Sequence, residues 1–336
     1  LIAPERSVLV LSAETGGRGT AFLPALPLCA IAWGALAFGA VYPWAYWPLA
    51  GACLVVGLAG LVARGHTSDP AISRPFVFAL SGMAAAIAVQ LVPLPSAFVE
   101  TFSPRTVELL RELNPAFSAG LLPHHPVSVW PRDTWTALGL YSALAVYCVG
   151  MTRFFSLWGS RRFVEALTGF AALLALVGIV QSSLSPTVIY GLWELEPGRR
   201  PFGPFVNRNH FAGWMVMALP LTLALVVASL DQGMKGVKAG WRRRVLWFSS
   251  AEASRLILIA AAAVLMALSL VLTMSRSGMM AFVLSVLMTG WFVARTVRSR
   301  LRRRVAAASL GMLVIFVVGW AGPDLVASRF AEADWG

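Results

Sequence analysis

The chain has 336 residues, 58% of them hydrophobic and only 12% charged, with a formal net charge of +12. Ordinary soluble domains carry about 25% charged residues, so this composition excludes a water-soluble enzyme, a secreted disulfide scaffold and a disordered chain, and leaves an all-α integral membrane protein. In so apolar a chain the Lys and Arg excess marks cytoplasmic loops rather than nucleic-acid binding, and Cys29, Cys53 and Cys148, each inside an apolar run, read as small buried hydrophobes.

A bilayer core needs about 20 mostly apolar residues per helix. Nine stretches meet or approach that length: 21–41, 44–63, 76–93, 134–152, 163–185, 209–230, 256–274, 279–294 and 305–322. Residues 1–20 then form a cytoplasmic N-terminus, 21–93 carry spans one to three, and 94–133 form an outer loop. Spans four and five occupy 134–185, a second outer loop occupies 186–208, and spans six to nine occupy 209–322. The first apolar run is too long for a cleaved signal peptide and lacks a polar cleavage region, so it reads as an anchor.

An inside N-terminus places every strong basic cluster on one side: Arg6 and Arg18, Arg64 and Arg74, Arg153 with Arg161 and Arg162, the segment Lys235–Arg255, and the run 295–304. That last run, RTVRSRLRRR, has no interleaved aromatics and reads as a loop facing anionic lipid headgroups. The chain opens on Leu1 rather than Met, and nine spans leave it outside at 323–336. The expectation is therefore a fragment ending at the start of an external segment.

Within the first outer loop, Ser103, Pro104 and VELLREL up to Asn114-Pro115 predict a surface helix capped by Ser103. Glu100, Glu108 and Glu112 fall on its wet face, and Asp133 is expected to cap the fourth span. His124 and His125 are adjacent but lack the further ligands that a metal site needs. Trp44, Trp47, Trp130, Trp135 and Trp193 fit an interfacial aromatic belt, with a sugar-binding platform as the alternative.

Ionisable residues are missing from the middle of the spans, where Gln90 and Gln181 near the outer ends are the nearest polar groups. That pattern argues against a proton-coupled pump. Polar residues gather instead at the outer face, most densely in Glu194, Glu196, Arg199, Arg200, Asn207, Arg208, Asn209 and His210. The last of these open the sixth span, whose free backbone N–H groups point outward. Helix N-termini and arginines together bind phosphate oxygens. Arg276, in MSRSGMM between the seventh and eighth spans, is a second outer arginine at a helix end. Solvated Glu–Arg pairs and a headgroup-snorkelling Arg276 are the alternatives; an anionic lipid headgroup such as a lipid-linked diphosphate is the ligand that both arginines would share.

The segment GRRPFGPFVNRNHFAGWMVMALPL (198–221) resembles the signature of the O-antigen ligase and polymerase superfamily: an Arg, a Gly three residues on, a Phe, an Asn-x-Asn pair and the next span. LTMSRSGMMAF (272–282) resembles its second signature, a Ser-Arg-x-Gly turn, and QLVPLP (90–95) and SVWPRDTWTAL (128–138) look like its early outer loop. The resemblance implies a GT-C-like helical bundle in the bacterial inner membrane and a glycosyltransferase that needs neither cofactor nor metal. Its donor is an undecaprenyl-diphosphate-linked glycan, and its acceptor is the lipid A core for a ligase or another glycan for a polymerase. A non-enzymatic polysaccharide or lipid exporter is the competing class.

By the same resemblance Arg200 and Arg276 bind the donor diphosphate, and Gly203, Asn207, Asn209, His210, Ser275 and Gly278 fill the supporting motif positions. Arg208 stands where many relatives carry Pro. The family's catalytic His is expected beyond Gly336, and His210 is not its substitute.

Overall fold

The computed structural model describes residues 25–63, 73–195, 198, 200–233, 249–296 and the isolated positions 307, 311 and 315. The N-terminal segment 1–20, Glu196, Arg199, most of the basic run 295–304, the expected ninth span 305–322 (three positions apart) and segment 323–336 lie outside these residues.

The described residues are α-helical apart from loops, two pairs of two-residue strands and one isolated bridge. Among the described residues, five helices are long and apolar enough to cross a membrane: Pro43–Val62, Pro131–Leu157, Arg161–Leu184, Arg208–Leu230 and Ala251–Leu272. Three further apolar helices among the described residues are shorter, Ala25–Leu36, Arg74–Val89 and Arg276–Phe292. This is a multi-pass membrane protein. The outward faces of its helices are apolar, as a bilayer requires: Val55 is 69% exposed, Phe78 75% and Leu258 71%.

The end of the first expected span is corrected. Within the described residues helix α1 covers Ala25–Leu36, and it ends at a turn in which Phe38, Gly39 and Ala40 all have positive φ (58°, 69° and 53°). Three successive left-handed residues cannot continue a right-handed helix. The cysteine reading also divides, because Cys53 is buried whereas Cys29 and Cys148 are exposed on outward faces.

Two compact units divide the chain, residues 1–30 with 43–160 and residues 31–42 with 161–336. In the first, α2 (Pro43–Val62) packs along α7 (Pro131–Trp158). Contacts advance together along both, Trp47 with Gly139, Gly57 with Val146 and Gly60 with Gly150, so the two helices run parallel. That is the sense required of two spans separated by one other, α3 (Arg74–Val89). Glycine makes the approach possible: a Cβ on Gly57 would lie 2.6 Å from the Val146 carbonyl oxygen, and one on Gly60 2.5 Å from that of Gly150. Between membrane helices lipid competes equally for apolar surface, so close backbone packing carries the association. Tyr141 and Tyr147 add long-range bonds, donating to the carbonyls of Leu80 (3.1 Å) and Pro27 (3.2 Å).

The loop between α3 and α7 folds into α4 (Ser96–Phe102), α5 (Pro104–Leu113) and α6 (Pro115–Ser118), framed by β1 (Leu94–Pro95) antiparallel to β2 (His124–His125). Val99, Val107, Leu110 and Phe117 form its small core. Two capping expectations are corrected. Ser103 spends its hydroxyl on Thr106 Oγ1 (2.8 Å) and caps no backbone N–H. Asp133 lies within the first turn of α7, whose N-cap is Trp130, so it faces the helix dipole without capping. The true side-chain cap is Asn114, whose Oδ1 accepts from Ala116 and Phe117 at the start of α6. Glu100 and Glu108 pair with Arg111 and Arg105 on the exposed face. His125 is buried, bonded to the Pro126 carbonyl at 2.8 Å and edge-on to Phe117, which is a packing role. No group of three or more metal-ligating side chains occurs among the described residues.

The second unit packs α8 (Arg161–Leu184), α9 (Arg208–Gly233), α10 (Ala251–Leu272) and α11 (Arg276–Thr296). Small residues (Ala171 and Ala175 of α8, Ala218 of α9, Ala263 and Ala267 of α10) let the helices close around Phe211, Met215, Leu219 and Met266, each fully buried. Pro220 is held inside α9. Thr168 and Thr222 bond to each other within this core at 3.1 Å, a mid-span polar pair that hydropathy does not reveal.

At one end of the unit Glu165 of α8 bridges Arg161 of its own helix (2.9 Å) and Arg255 of α10, while Arg161 reaches Gln232 of α9 (2.6 Å). Three helix ends are thereby tied where two cations share one carboxylate. Glu165→Gln is expected to lower stability by about 1 kcal/mol, since the pairs remain partly exposed. Thermal melts in detergent check this, and the difference between variant and parent should shrink in high salt.

Candidate functional site

At the other end of the second unit lie the two segments singled out in the sequence. The loop after α8 starts with β3 (Val188–Ile189) antiparallel to β4 (Trp193–Glu194). Its turn places Tyr190 and Gly191 at φ 55° and 70°, and Tyr190 donates its hydroxyl to the Leu36 carbonyl at 2.6 Å, capping the end of α1. Burial pushes the Tyr190 phenol above its ordinary pKa, so the hydroxyl keeps its proton as a donor. Phe38, Tyr42, Tyr190 and Trp193 gather there, the Phe38 ring 5.4 Å from that of Trp193 and 5.6 Å from that of Tyr190.

Arg200 follows, exposed, and leads into a tight hairpin. Phe202 and Phe205 exchange backbone hydrogen bonds (3.1 and 3.2 Å) around Gly203 and Pro204. Gly203 has φ +55° at the first central position, which a two-residue hairpin reserves for glycine. A second reason for glycine is space, because a Cβ there would come 3.1 Å from the Gly178 Cα of α8. Gly178 in turn leaves room for the Phe202 ring, which an added Cβ would meet at 2.7 Å. The rings of Phe202 and Phe205 pack on Phe211 of α9 at 4.7 and 5.7 Å and seat the hairpin on the bundle.

The hairpin runs directly into α9. Asn207 is its N-cap: Oδ1 accepts from the Asn209 N–H at 2.8 Å, and its carbonyl accepts from His210 and Phe211. Asn209 and His210 are exposed in the first turn and Arg208 is half-buried.

The second segment makes a matching helix start. Thr273, 1% exposed, donates to the Leu270 carbonyl and accepts from the Ser275 N–H. Met274 takes φ 54°, and Ser275, buried at 2% exposure, accepts the Gly278 N–H at 3.2 Å as N-cap of α11. Arg276 occupies the first position of that helix, half-buried. A Cβ on Gly278 would meet the Ala212 Cβ at 2.7 Å. The first turns of α9 and α11 therefore lie side by side.

The structure thus brings together Asn207, Asn209, His210, Ser275, Arg276 and Gly278 at two adjoining helix starts, with Arg200 and Gly203 in the hairpin that enters one of them. Two neighbouring helix N-termini carry partial positive charge toward the same side, and an arginine near each adds a forked donor. Such an arrangement favours an anion with several oxygens.

Sequence reasoning noted Gln181 only as a polar group and passed over Gly178. They stand three apart on α8 and so share a face. Both contact the hairpin: Gln181 accepts the Gly203 N–H at 2.8 Å, and Gly178 adjoins Phe202. A Gly-x-x-Gln spacing just before a Gly-Pro loop was the available signal. No family model, curated protein or solved structure matches this chain.

Proposed function

We propose that this chain is an O-antigen ligase-like glycosyltransferase of the bacterial inner membrane, built as nine spans of a GT-C-like bundle with its N-terminus in the cytoplasm. It moves a glycan from undecaprenyl diphosphate to the lipid A core at the periplasmic face. One observation carries the reading. Two segments more than fifty residues apart, each resembling a signature of that superfamily, meet as adjoining helix starts through the contact of Gly278 with Ala212.

In this reading Arg200 and Arg276 hold the donor diphosphate. An acceptor hydroxyl oxygen bonds to the anomeric carbon as the bond from that carbon to the diphosphate oxygen breaks. The electron pair leaves with undecaprenyl diphosphate, and the hydroxyl proton passes to a base. Negative charge grows on the leaving diphosphate, and fixed guanidinium groups and helix N-termini in a low-dielectric interface stabilise it as it forms. Asn207 and Ser275 serve by capping, which fixes the two helix starts in place.

The test is the glycolipid profile of cells lacking the gene. Long lipid-linked glycan accumulating beside bare lipid A core is the expected result. Single repeat units on the core would reassign the chain as the polymerase of the same superfamily. An unchanged profile would overturn the transfer reading.

A further inference from the structure

Gln181 stands at the last turn of α8, and its whole amide is spent on the loop that follows. Nε2 donates to the carbonyls of Ser185 (2.7 Å) and Val188 (2.9 Å), while Oε1 accepts the Gly203 N–H (2.8 Å). The partners fix the orientation of the amide: reversing it would set N–H against N–H and oxygen against two carbonyls. One side chain therefore ties the end of its own helix, the start of β3 and the tip of the Phe202–Phe205 hairpin.

These ties are separate from those that hold the fold. Phe202 and Phe205 are 4% and 5% exposed and seat the hairpin on Phe211 by ring packing. That packing does not use Gln181. The side of the hairpin that enters α9 is further held by the Asn207 cap. The side that leaves toward Arg200 is exposed at Arg200 itself, and it is tied to α8 by the Gly203 N–H donating to the Gln181 side chain. Only Pro201 and Phe202 separate Gly203 from Arg200, so the register of the hairpin on α8 sets where that guanidinium is carried.

We infer that Gln181 is a positioning residue for Arg200, holding the Arg200–Gly203 strand on α8 so that the guanidinium meets the phosphate oxygens of a lipid-linked donor. This rests on the transfer reading given above. Displacing a group that binds the reacting substrate by about 1 Å costs on the order of a hundredfold in rate, and that is the loss expected in kcat/KM for Gln181→Ala in the otherwise folded protein.

The experiment uses the protein of the full reading frame in lipid nanodiscs, with an undecaprenyl-diphosphate-linked glycan as donor and lipid A core as acceptor. Four chains are compared: parent, Gln181→Ala, Arg200→Lys and the double variant. If Gln181 acts through Arg200, adding Gln181→Ala to Arg200→Lys costs much less than its hundredfold in the parent. An undiminished loss in the double variant, or parental kcat/KM in Gln181→Ala, would overturn the inference. Gln181→Glu adds a pH readout. It keeps an acceptor for the Gly203 N–H but offers no donor while ionised and one O–H donor when protonated. Its rate relative to the parent should therefore rise as pH falls, and a flat ratio counts against the inference.

A nitroxide on Leu192→Cys, at a position 89% exposed in the β3–β4 turn, with the other cysteines replaced, reads the loop without any substrate. Gln181→Ala should make the label more mobile, and an unchanged spectrum overturns the inference even in an inactive protein. Failure of the parent to transfer glycan, with the label still loosened, would instead overturn the proposed function and leave Gln181 as the residue that holds this loop.

Discussion

For the proposed glycan transfer, Arg276→Ala is expected to lower kcat/KM by about 10²–10³, the loss found when one fixed donor is removed from a developing anion. Arg200→Ala should fall in the same range. The effect is large because, in the proposed reaction, the charge on the departing diphosphate develops at a membrane interface, where little water screens it. Arg276 sits on the first position of α11, next to the first turn of α9, so its charge adds to two helix dipoles. Lysine in its place keeps the charge but loses the planar fork, so Arg276→Lys should recover only part of the rate. Normal transfer by either alanine variant at normal expression would defeat the diphosphate role. Melting in the same detergent is the control, because an unfolded variant is inactive for another reason.

Gly150→Val is expected to give the largest stability effect in the first unit. The residue faces the Gly57 backbone, and an added Cβ would drive straight into it. Backbone cannot swing aside as a flexible side chain does, so α2 and α7 must separate. Overpacking of a close-packed interface costs about 1–3 kcal/mol and occasionally more; backbone against backbone belongs at or above the top of that range. Cys53 supplies the assay, because it is 3% exposed in the cluster with Ala50 and Ala143 between these helices. With Cys29 and Cys148 replaced, a maleimide should leave Cys53 unlabelled in the parent and label it in Gly150→Val. Gly51→Ala is the matched control: nothing lies within 4 Å of a Cβ there, and alanine is the better helix former. Equal labelling of both variants would show that the Gly150 contact does not hold the helices together.

Most of the helix positions were legible in the sequence, because apolar run length is a local property. Spans expected at 44–63, 163–185 and 209–230 appear as Pro43–Val62, Arg161–Leu184 and Arg208–Gly233. The misses came where tertiary contacts override local preference. Residues 37–41 are apolar enough to extend the first helix, yet Phe38–Ala40 turn left-handed, with the Phe205 ring 2.7 Å from where a Cβ on Gly39 would lie. Ser103 and Asp133 are good capping residues by type, but a hydroxyl partner at Thr106 and a helix start at Pro131 place them otherwise.

For the candidate site, the residue types were visible and their assembly was not. Arg200, Asn207, Asn209, Ser275 and Arg276 stand out as polar residues at helix ends in an apolar chain, and that contrast is one-dimensional. Which helix start lies beside which depends on Ala212 and Gly278, two small residues that carry no chemistry. Gln181 differs from any other glutamine near a helix end only through the positions of Ser185, Val188 and Gly203.

The sequence by itself determined that this is a multi-pass helical membrane protein and where most of its helices run, since transfer into a bilayer is decided residue by residue over a window of about 20. The tertiary structure decided which glycines face neighbouring backbone or rings, which amide holds the loop after α8, and that two distant arginine-bearing segments begin neighbouring helices. Those outcomes depend on distances between atoms far apart in the chain, which packing in three dimensions sets and local composition does not encode.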